Sequence, residues 1–229
     1  MNKDRKSMLR DAVVLFAITL IAGLILGGVY QVTKEPIAAQ KEKARQEACR
    51  EVFAEAASFE AVDSQAGEGA EYRTPRDGDW AERGYGGVDI GEVMRAADAG
   101  GGSLGYVITV TAHEGYGGDI QFMMGVREDG TLNGISLLSI SETAGLGMRA
   151  EEVLKPQFAG RGEESFFYGK SGAAPAGGGA AAGTVTAGGT GQIDAITGAT
   201  ITTSAIVDGV NAGLYYFRSV LAEGGNSNG

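Results

Sequence analysis

The residues best suited to chemistry lie in the segment 192–204, QIDAITGATITTS, which places four threonines and a serine around one glycine. Apolar residues at helical spacing follow, which predicts a helix over about 203–222 with one buried face: Ile206, Val210, Leu214, Phe217 and Leu221. The free N–H groups and the dipole at a helix N-terminus both favour an anion. The segment therefore predicts a phosphate-binding turn at the start of this helix.

A simpler interpretation is that one of these hydroxyls caps a helix that begins near Ser204. Capping needs only one hydroxyl and tolerates almost any neighbours. It therefore leaves the other four hydroxyls of the segment unexplained, and we favour the anion site.

Two glycine-rich loops provide further candidate binding residues. The first, residues 114–120 (EGYGGDI), contains Gly115, Tyr116, Gly117 and Gly118, and its glycines let the backbone approach a ligand closely. The second is residues 142–148 (ETAGLGM). The first loop could be a plain hairpin turn. The second fits the loosest form of a dinucleotide-binding fingerprint, but the neighbouring elements indicate a meander and not the βαβ frame that such a site needs. Another Gly-Tyr-Gly-Gly, residues 84–87, has no recognisable strand after it, and we interpret that repeat as coincidental.

The elements around these loops predict an α+β fold. Residues 104–111, 119–126 and 132–140 are rich in β-branched, aromatic and methionine residues and are separated by turn signals, which predicts an antiparallel meander. A helical pattern returns over 149–158. Residues 59–103 have weaker patterning, and we expect an ordered but irregular entry into the domain, anchored by Trp80 and Tyr85.

The N-terminal part predicts a membrane anchor. Residues 12–33 contain no charge, which is enough for one helical crossing. Four basic residues precede them against two acidic ones, so we expect residues 1–11 in the cytoplasm and everything after residue 33 outside it. Cleavage as a signal peptide is the alternative. Residues 34–58 predict a helical stalk in which Pro36 allows a kink or break.

Charge and cysteine content exclude several functions. The chain carries a net charge of −10, and since residues 1–11 contribute four basic and two acidic residues, the remainder carries −12. Such an acidic domain repels nucleic acid. Cys49 is the only cysteine, so no intrachain disulfide or cysteine-ligated cluster is available. Within the expected domain, residues 59–222, the Gly/Ala-rich stretch 171–191 predicts a mobile loop, and residues 223–229 a disordered tail.

The order of the motifs resembles the FMN-binding domain family, and in particular the G subunit of the Rnf electron-transport complex. A related family is the C subunit of the sodium-translocating NADH:quinone reductase. The resemblance covers about residues 12–222. Ala144 departs from it, since the family commonly has proline there. The landmarks are Gly105–Val107, Gly115–Ile120, Gly125–Gly130, Glu142–Gly147, Gln157-Phe158 and Asp194–Thr200.

The resemblance implies which residues hold the cofactor. FMN would be joined through a phosphoester to Thr200, the last hydroxyl of Asp-x-x-Thr-Gly-Ala-Thr. Thr197, Gly198 and Ala199 would form the turn that exposes it, and Thr202 and Thr203 would hydrogen-bond the phosphate. The remaining flavin contacts would come from the two glycine-rich loops, through Gly115, Tyr116, Gly117, Gly118, Glu142, Thr143, Gly145, Leu146 and Gly147.

The resemblance also implies the function. The chain would carry electrons in an inner-membrane complex that couples ferredoxin:NAD⁺ electron transfer to sodium or proton transport. Its partners would be subunits A, B, C, D and E, together with a flavin transferase for maturation. No catalytic side chain and no metal site is expected, because the flavin supplies the redox chemistry. The alternatives are the quinone-reductase subunit and a membrane-anchored flavodomain with a scaffold role.

Overall fold

The structure, a computed structural model, describes residues 3–62, 79–169 and 191–222. The chain divides into two compact units, residues 1–45 and residues 46–229. Most of helix α1, Lys3–Val52, makes up the first unit. This helix is long and apolar enough to cross a membrane, and its side chains from Arg10 to Ala44 are exposed. The apolar segment is therefore helical, as expected.

Helix α1 differs from the expected stalk at two points. Pro36 lies inside the helix and does not end it. The helix ends at Val52, six residues before the expected end at 58. The reason lies in the second unit, where Val52 and Phe53 are almost completely buried and the chain must turn into the first strand.

The second unit contains a five-stranded antiparallel sheet in the order β1-β2-β3-β4-β5. Strands β3, β4 and β5 confirm the expected meander. Strands β1 and β2 correct the expectation of an irregular entry, and a short helix α2, Asp79–Glu82, precedes β2. The strands are β1 Ser58–Ala61, β2 Val88–Ala97, β3 Ser103–Ala112, β4 Ile120–Arg127 and β5 Leu132–Ser139.

After β5 the chain forms short helical turns, a two-stranded parallel sheet and a long helix. The helical turns are Gly147–Arg149, α3 Ala150–Val153 and Lys155–Phe158. They cover the expected helical pattern over 149–158 and begin two residues before it. Strands β6 Phe166–Gly169 and β7 Gly191–Asp194 pair in parallel and were not expected. Helix α4 covers Thr200–Tyr216 and continues as a π-helical turn, Phe217–Ala222.

Helix α4 covers one face of the large sheet. Its buried apolar face, including Ile206, Val210 and Leu214, joins the main core, as the helical spacing predicts. Two glycines bring the helix close to β4. A Cβ at Gly213 would lie 2.1 Å from the Met124 Sδ, and one at Gly209 would lie 2.9 Å from the Phe122 Cζ. A larger side chain at either position would have to displace a core side chain of β4 or move the helix away from the sheet.

The C-terminal end of α1 covers the opposite face. Ala48, Cys49, Val52 and Phe53 form a second core cluster with residues of β2, β3 and β4. The Cys49 Sγ lies 3.8 Å from the Met123 Sδ. The single cysteine is therefore part of a core, and the end of the expected stalk is part of the folded unit.

Two low-complexity predictions lie outside the described residues. The Gly/Ala-rich stretch 171–191 is described only at Gly191, which begins β7. The tail 223–229 is not described.

Asn211 of α4 anchors strand β6. Its side chain accepts a hydrogen bond from the Phe166 N–H (2.7 Å) and donates one to the Phe166 carbonyl (2.9 Å).

Candidate functional site

The threonine-rich segment forms a tight turn that leads directly into α4. The Ala199 N–H donates to the Ile196 carbonyl at 3.0 Å, and Gly198 has a φ of +83°, a left-handed conformation that favours glycine. The helix begins at Thr200, three residues earlier than expected. Ser204 consequently lies in the second turn, where its hydroxyl donates to the Asp208 carboxylate at 3.0 Å. The alternative interpretation, in which one of the hydroxyls caps the helix, is wrong, because the N-cap residue is Ala199 and no side chain makes a capping hydrogen bond there.

Thr203 supports the turn from inside. Its side chain is fully buried, and its hydroxyl donates to the Ala199 carbonyl (2.9 Å) and accepts from the Ile196 N–H (3.2 Å). Both contacts are local, so the hydroxyl is already engaged. This differs from the expected phosphate contact, because a residue one turn into the helix faces back onto the turn that precedes it.

Thr200 occupies the position expected of an attachment residue. It is the first residue of α4 and is exposed. The N–H groups in the first turn of a helix have no carbonyl partner within the helix and are available to a ligand. Thr197 and Gly198 are also exposed, in the turn just before it. The exposed hydroxyl of Thr200 therefore lies beside unpaired backbone donors.

A cavity of about 480 Å³ opens next to this helix start. Its volume falls in the usual range for small-molecule sites, roughly 300–1,000 Å³. Nine of the ten lining residues are among those predicted from sequence. The tenth, Ile201, was missed, although its place between two threonines at the helix start was a usable signal. The lining residues are Tyr116, Glu142, Thr143, Leu146, Gly147, Gly198, Ala199, Thr200, Ile201 and Thr202.

The first glycine-rich loop is packed tightly against the second. The Gly117 N–H donates to the Glu142 Oε1 at 3.3 Å. A Cβ at Gly117 would lie 2.0 Å from the Ser141 carbonyl oxygen, and one at Gly115 would lie 2.2 Å from the Gly118 carbonyl oxygen. Gly115, Gly117 and Gly118 do not line the cavity. They shape the loop that carries Tyr116 to its rim.

The second glycine-rich loop reaches the threonine turn. Gly145 adopts a φ of +77°, and the Leu146 N–H donates to the Thr143 carbonyl at 3.1 Å. This turn places Leu146 against Gly198, where an added Cβ would lie 3.2 Å from the Leu146 Cδ2. Gly147 lies against Thr202, and a Cβ there would be 2.6 Å from the Thr202 Oγ1. These contacts form one side of the cavity, where the second loop meets the threonine turn and the helix start.

The cavity has exposed apolar side chains at its rim and buried polar side chains in its interior. Tyr116 and Ile201 are 70% and 51% exposed, whereas Glu142 is 9% exposed and Thr202 is buried. Among the residues that line the cavity there is no lysine or arginine. A phosphate bound here would be held by backbone N–H groups, hydroxyls and the helix dipole.

Comparison with known proteins assigns the family. The sequence matches the FMN-binding domain over residues 115–215 and the RnfG N-terminal region over residues 1–52. It is 31% identical to the G subunit of the ion-translocating oxidoreductase complex of Pseudomonas aeruginosa, covering 93% of this chain and 90% of the relative. The chain belongs to the G-subunit family of ion-translocating oxidoreductase complexes.

Other relatives in this family carry more specific names. The chain is 29% identical to the G subunit of the Na(+)-translocating ferredoxin:NAD(+) oxidoreductase complex of Acetobacterium woodii, over 95% of both chains. It is also 29% identical to the G subunit of the proton-translocating ferredoxin:NAD(+) oxidoreductase complex of Clostridium ljungdahlii, over 91% of both chains. The crystal structure of Shewanella oneidensis NqrC matches with a TM-score of 0.46 at 19% identity, covering 74% of this chain and 84% of that one.

The cavity suits the FMN of this family. The FMN-binding match begins at Gly115 and ends at residue 215, so it includes every residue that lines the cavity. Glycines at 117 and 147 let the loops and the helix start pack closely around the cavity, since a Cβ at either position would meet neighbouring protein atoms. Apolar side chains of the lining, including Leu146 and Ile201, can contact a flat ring. The helix start supplies donors for the phosphate end.

Proposed function

We propose that this protein carries FMN joined through a phosphoester to Thr200 and transfers electrons in a membrane complex of the Rnf type. The single observation that carries the proposal is the position of Thr200. Its exposed hydroxyl lies at the first residue of α4 and on the wall of the cavity. Thr202 is buried, and Thr203 is engaged with the preceding turn.

Covalent attachment compensates for the chemistry of the cavity. Because none of the described residues that line it is cationic, free FMN would be held mainly by neutral donors and by contacts with its ring. A tether raises the effective concentration of the flavin and keeps the site filled despite weak binding. We therefore propose that Gly198 and Ala199 present Thr200 to a flavin transferase, and that the cavity then receives the attached cofactor.

The protein groups around the flavin would position it, and the flavin itself would supply the electron transfer. We propose that Leu146 and Tyr116 contact the ring, because both are exposed apolar groups at the rim. Glu142 and Thr143 line the same cavity and provide polar contacts. Gly115, Gly117, Gly118 and Gly145 support the loops that carry these residues.

The complex would couple ferredoxin:NAD⁺ electron transfer to ion transport, with subunits A, B, C, D and E as partners. The Acetobacterium and Clostridium relatives are named for different ions, although this chain is 29% identical to each. We therefore assign the choice of ion to the partners. The matches to the RnfG N-terminal region and to the G-subunit relatives favour this assignment over the quinone-reductase alternative.

The attachment is tested with Thr200→Val, co-expressed with a flavin transferase. Valine keeps the side-chain shape and removes the hydroxyl, so we expect complete loss of the FMN mass increment and of flavin fluorescence in denaturing gels. Since Thr200 is exposed, stability should change by less than about 0.5 kcal/mol.

Thr197→Val is the matched control, because it removes an exposed hydroxyl from the turn three residues earlier. It should retain the flavin, and wild-type protein made without the transferase should be colourless. Flavin retained in Thr200→Val would refute the assignment. Equal loss in Thr197→Val would leave the turn, rather than one hydroxyl, as the determinant.

We further propose that residues 12–33 cross the inner membrane with the N-terminus in the cytoplasm, supported by the basic flank before them. In a Cys49→Ala background, a cysteine that replaces the exposed Glu82 should react with a membrane-impermeant maleimide added to intact spheroplasts, because it lies on the external side of the inner membrane. A cysteine at Met8 should react only after permeabilisation. The reverse pattern would place the cavity in the cytoplasm.

A further inference from the structure

His113, the only histidine of the chain, lies immediately after β3 and contacts two other segments. Its Nε2 is 2.8 Å from the Asp89 Oδ2 on β2. Its Nδ1 is 3.0 Å from the Asp119 Oδ1, in the residue just before β4. The ring therefore lies between two carboxylates, one at each nitrogen.

This arrangement determines the protonation state of the ring. A neutral imidazole has one N–H donor, whereas an ionised carboxylate only accepts hydrogen bonds. Both contacts are hydrogen bonds at once only when His113 is an imidazolium. Consistently, the hydrogen bond with Asp89, and next that with Asp119, raises the pKa of His113, against a smaller opposing effect of desolvation.

His113 and Asp119 also lie on the two sides of the glycines of the first glycine-rich loop. Between them lie Gly115–Gly118, whose middle is fixed by the hydrogen bond from the Gly117 N–H to Glu142. The backbone N–H of His113 donates to the Gly87 carbonyl at 2.9 Å, which connects this end of the loop to the residue before β2. The ring thus joins both ends of the loop to each other and to β2.

We propose that the His113 imidazolium is a positioning group that clamps the base of the Gly115–Gly118 loop and so holds Tyr116 at the rim of the cavity. The clamp itself is a property of the chain without cofactor. Only its consequence for the flavin rests on the proposed function.

The expected pH dependence follows from the direction of the shift. Because the folded-state pKa of His113 is raised, the clamp is fully formed below the pKa of an unfolded histidine, about 6.5. It is lost as the pH rises through the folded-state pKa. The charged groups that face the ring are Asp89 from β2 and Asp119 from the start of β4. Once the ring is neutral, one of these carboxylates faces a nitrogen lone pair, and the loop loosens.

The single histidine makes the first measurement direct. Full-length protein labelled with [¹³C]histidine, purified in detergent without a polyhistidine tag, gives one Cε1–H resonance whose titration reports His113. We expect a midpoint above that of the same protein in urea. Asp89→Asn should lower it more than Asp119→Asn, because Asp89 is closer and its side chain is less exposed, 29% against 63%.

Glu92→Gln, which removes a carboxylate from β2 without altering either contact, is the control and should leave the midpoint unchanged. A wild-type midpoint equal to that in urea would overturn the clamp. So would a midpoint that is insensitive to both aspartate variants.

The second measurement asks whether the clamp positions the loop. Amide hydrogen exchange of the peptide covering 113–119, corrected for intrinsic rates, should show protection that falls as the pH rises through the His113 midpoint. His113→Gln, which cannot become charged, should show low protection with no such step. A step in protection of the same size in His113→Gln, or no step in the wild-type protein, would mean that His113 forms a surface ion pair without positioning the loop.

These results are independent of flavin attachment. Flavin-free protein that shows the step, together with flavin retained in Thr200→Val, would refute the proposed function and keep the clamp. If the wild-type protein shows no step in protection and Thr200→Val does lose its flavin, the clamp alone is refuted.

Discussion

The tetrapeptide Gly-Tyr-Gly-Gly occurs twice, at residues 84–87 and 115–118, and the two copies place their tyrosines in opposite environments. Tyr85 is half-buried, with its ring centroid 5.3 Å from that of Trp80 and 6.0 Å from that of Tyr215. Tyr116 is 70% exposed at the cavity. The same four residues thus build part of the core in one place and the rim of a site in the other.

The glycines differ in the opposite sense. In the second copy, the space beside Gly115 and Gly117 is filled by backbone carbonyl oxygens. In the first copy, the nearest atom to an added Cβ at Gly86 is 3.8 Å away, in Ala81. At the third position of the tetrapeptide, therefore, the first copy has room for a Cβ and the second does not. This difference predicts which substitutions each copy tolerates.

The largest effect is expected from adding a methyl group to the backbone-packed copy. Gly117→Ala places a Cβ 2.0 Å from the Ser141 carbonyl oxygen, so the loop must shift. We expect most chains to lose flavin, as measured by the ratio of visible to ultraviolet absorbance. Stability should fall by about 1–3 kcal/mol, the usual cost of overpacking.

Gly86→Ala is the matched control in the other copy, with flavin content unchanged and stability within about 0.5 kcal/mol of wild type. Equal losses in the two variants would mean that the copies are not distinguished by their backbone packing. Normal flavin content in Gly117→Ala would remove the loop from the site.

A smaller effect, in the reverse order, is expected for the tyrosines. Tyr85→Ala removes a ring from an aromatic cluster and should lower the free energy of unfolding by about 2 kcal/mol, less than for a fully buried aromatic. Tyr116→Ala should change it by less than about 0.5 kcal/mol, because the side chain is exposed. Urea unfolding in detergent, followed by Trp80 emission with separate baselines for each variant, measures both.

Tyr116→Ala should instead alter the visible circular dichroism of the bound flavin, which Tyr85→Ala should leave intact. A large loss of stability in Tyr116→Ala would contradict its assignment to the rim.

The smallest effect concerns Asp208, a carboxylate that interacts with both copies. The charge of Asp208 contributes to raising the pKa of Tyr85 in the first copy. The charge of Glu114, the residue before the second copy, contributes to raising the pKa of Asp208. Burial raises the pKa of Asp208 to about 6, opposed by the hydrogen bond from Ser204. Because a protonated carboxyl is favoured in the folded state, its stabilising contribution is present at low pH and is lost as the pH rises towards about 6.

Asp208→Asn should therefore remove this pH dependence. It should also stabilise the protein at pH 7 by about 1 kcal/mol, since each unit by which burial raises the pKa of Asp208 costs about 1.4 kcal/mol when the carboxylate is charged and the amide recovers part of that cost. Ser204→Ala should act oppositely, raising the pKa of Asp208 further and lowering stability at pH 7. Urea unfolding at pH 4, 5, 6 and 7 measures both. A wild-type pH slope retained in Asp208→Asn would assign the effect to another group.

The sequence predicts those parts of the fold that have regular patterns. Strands β3, β4 and β5 were found because their β-branched and aromatic residues are bounded by turn signals. Strand β2 was missed because its register shifts between Ile90 and Val93, at a bulge that contains Gly91 and Glu92. A bulge breaks the alternation of buried and exposed residues on which strand prediction depends. Once β2 was missed, the first Gly-Tyr-Gly-Gly could not be recognised as the turn before a strand.

Nine of the ten residues that line the cavity could be singled out from the sequence, because they lie in three short motifs whose order resembles a family. What the motifs could not predict was the role of individual hydroxyls. Thr202 and Thr203 are adjacent, yet the first lines the cavity and the second is committed to the turn. That distinction depends on where the helix begins, and helix boundaries are the least reliable part of a prediction from sequence.

The close seat of α4 on the sheet has a consequence for the distant end of that helix. Gly209 and Gly213 lie roughly 14 and 20 Å along the helix from Thr200, at 1.5 Å per residue. A rigid helix transmits a displacement along its length. The packing of these glycines against the sheet therefore also determines the distance between the Thr200 hydroxyl and the opposing loops. Under the proposed attachment, an enzyme that recognises this hydroxyl would depend on two residues it never touches, and defects in cofactor loading would arise in the core while the cavity residues are all intact.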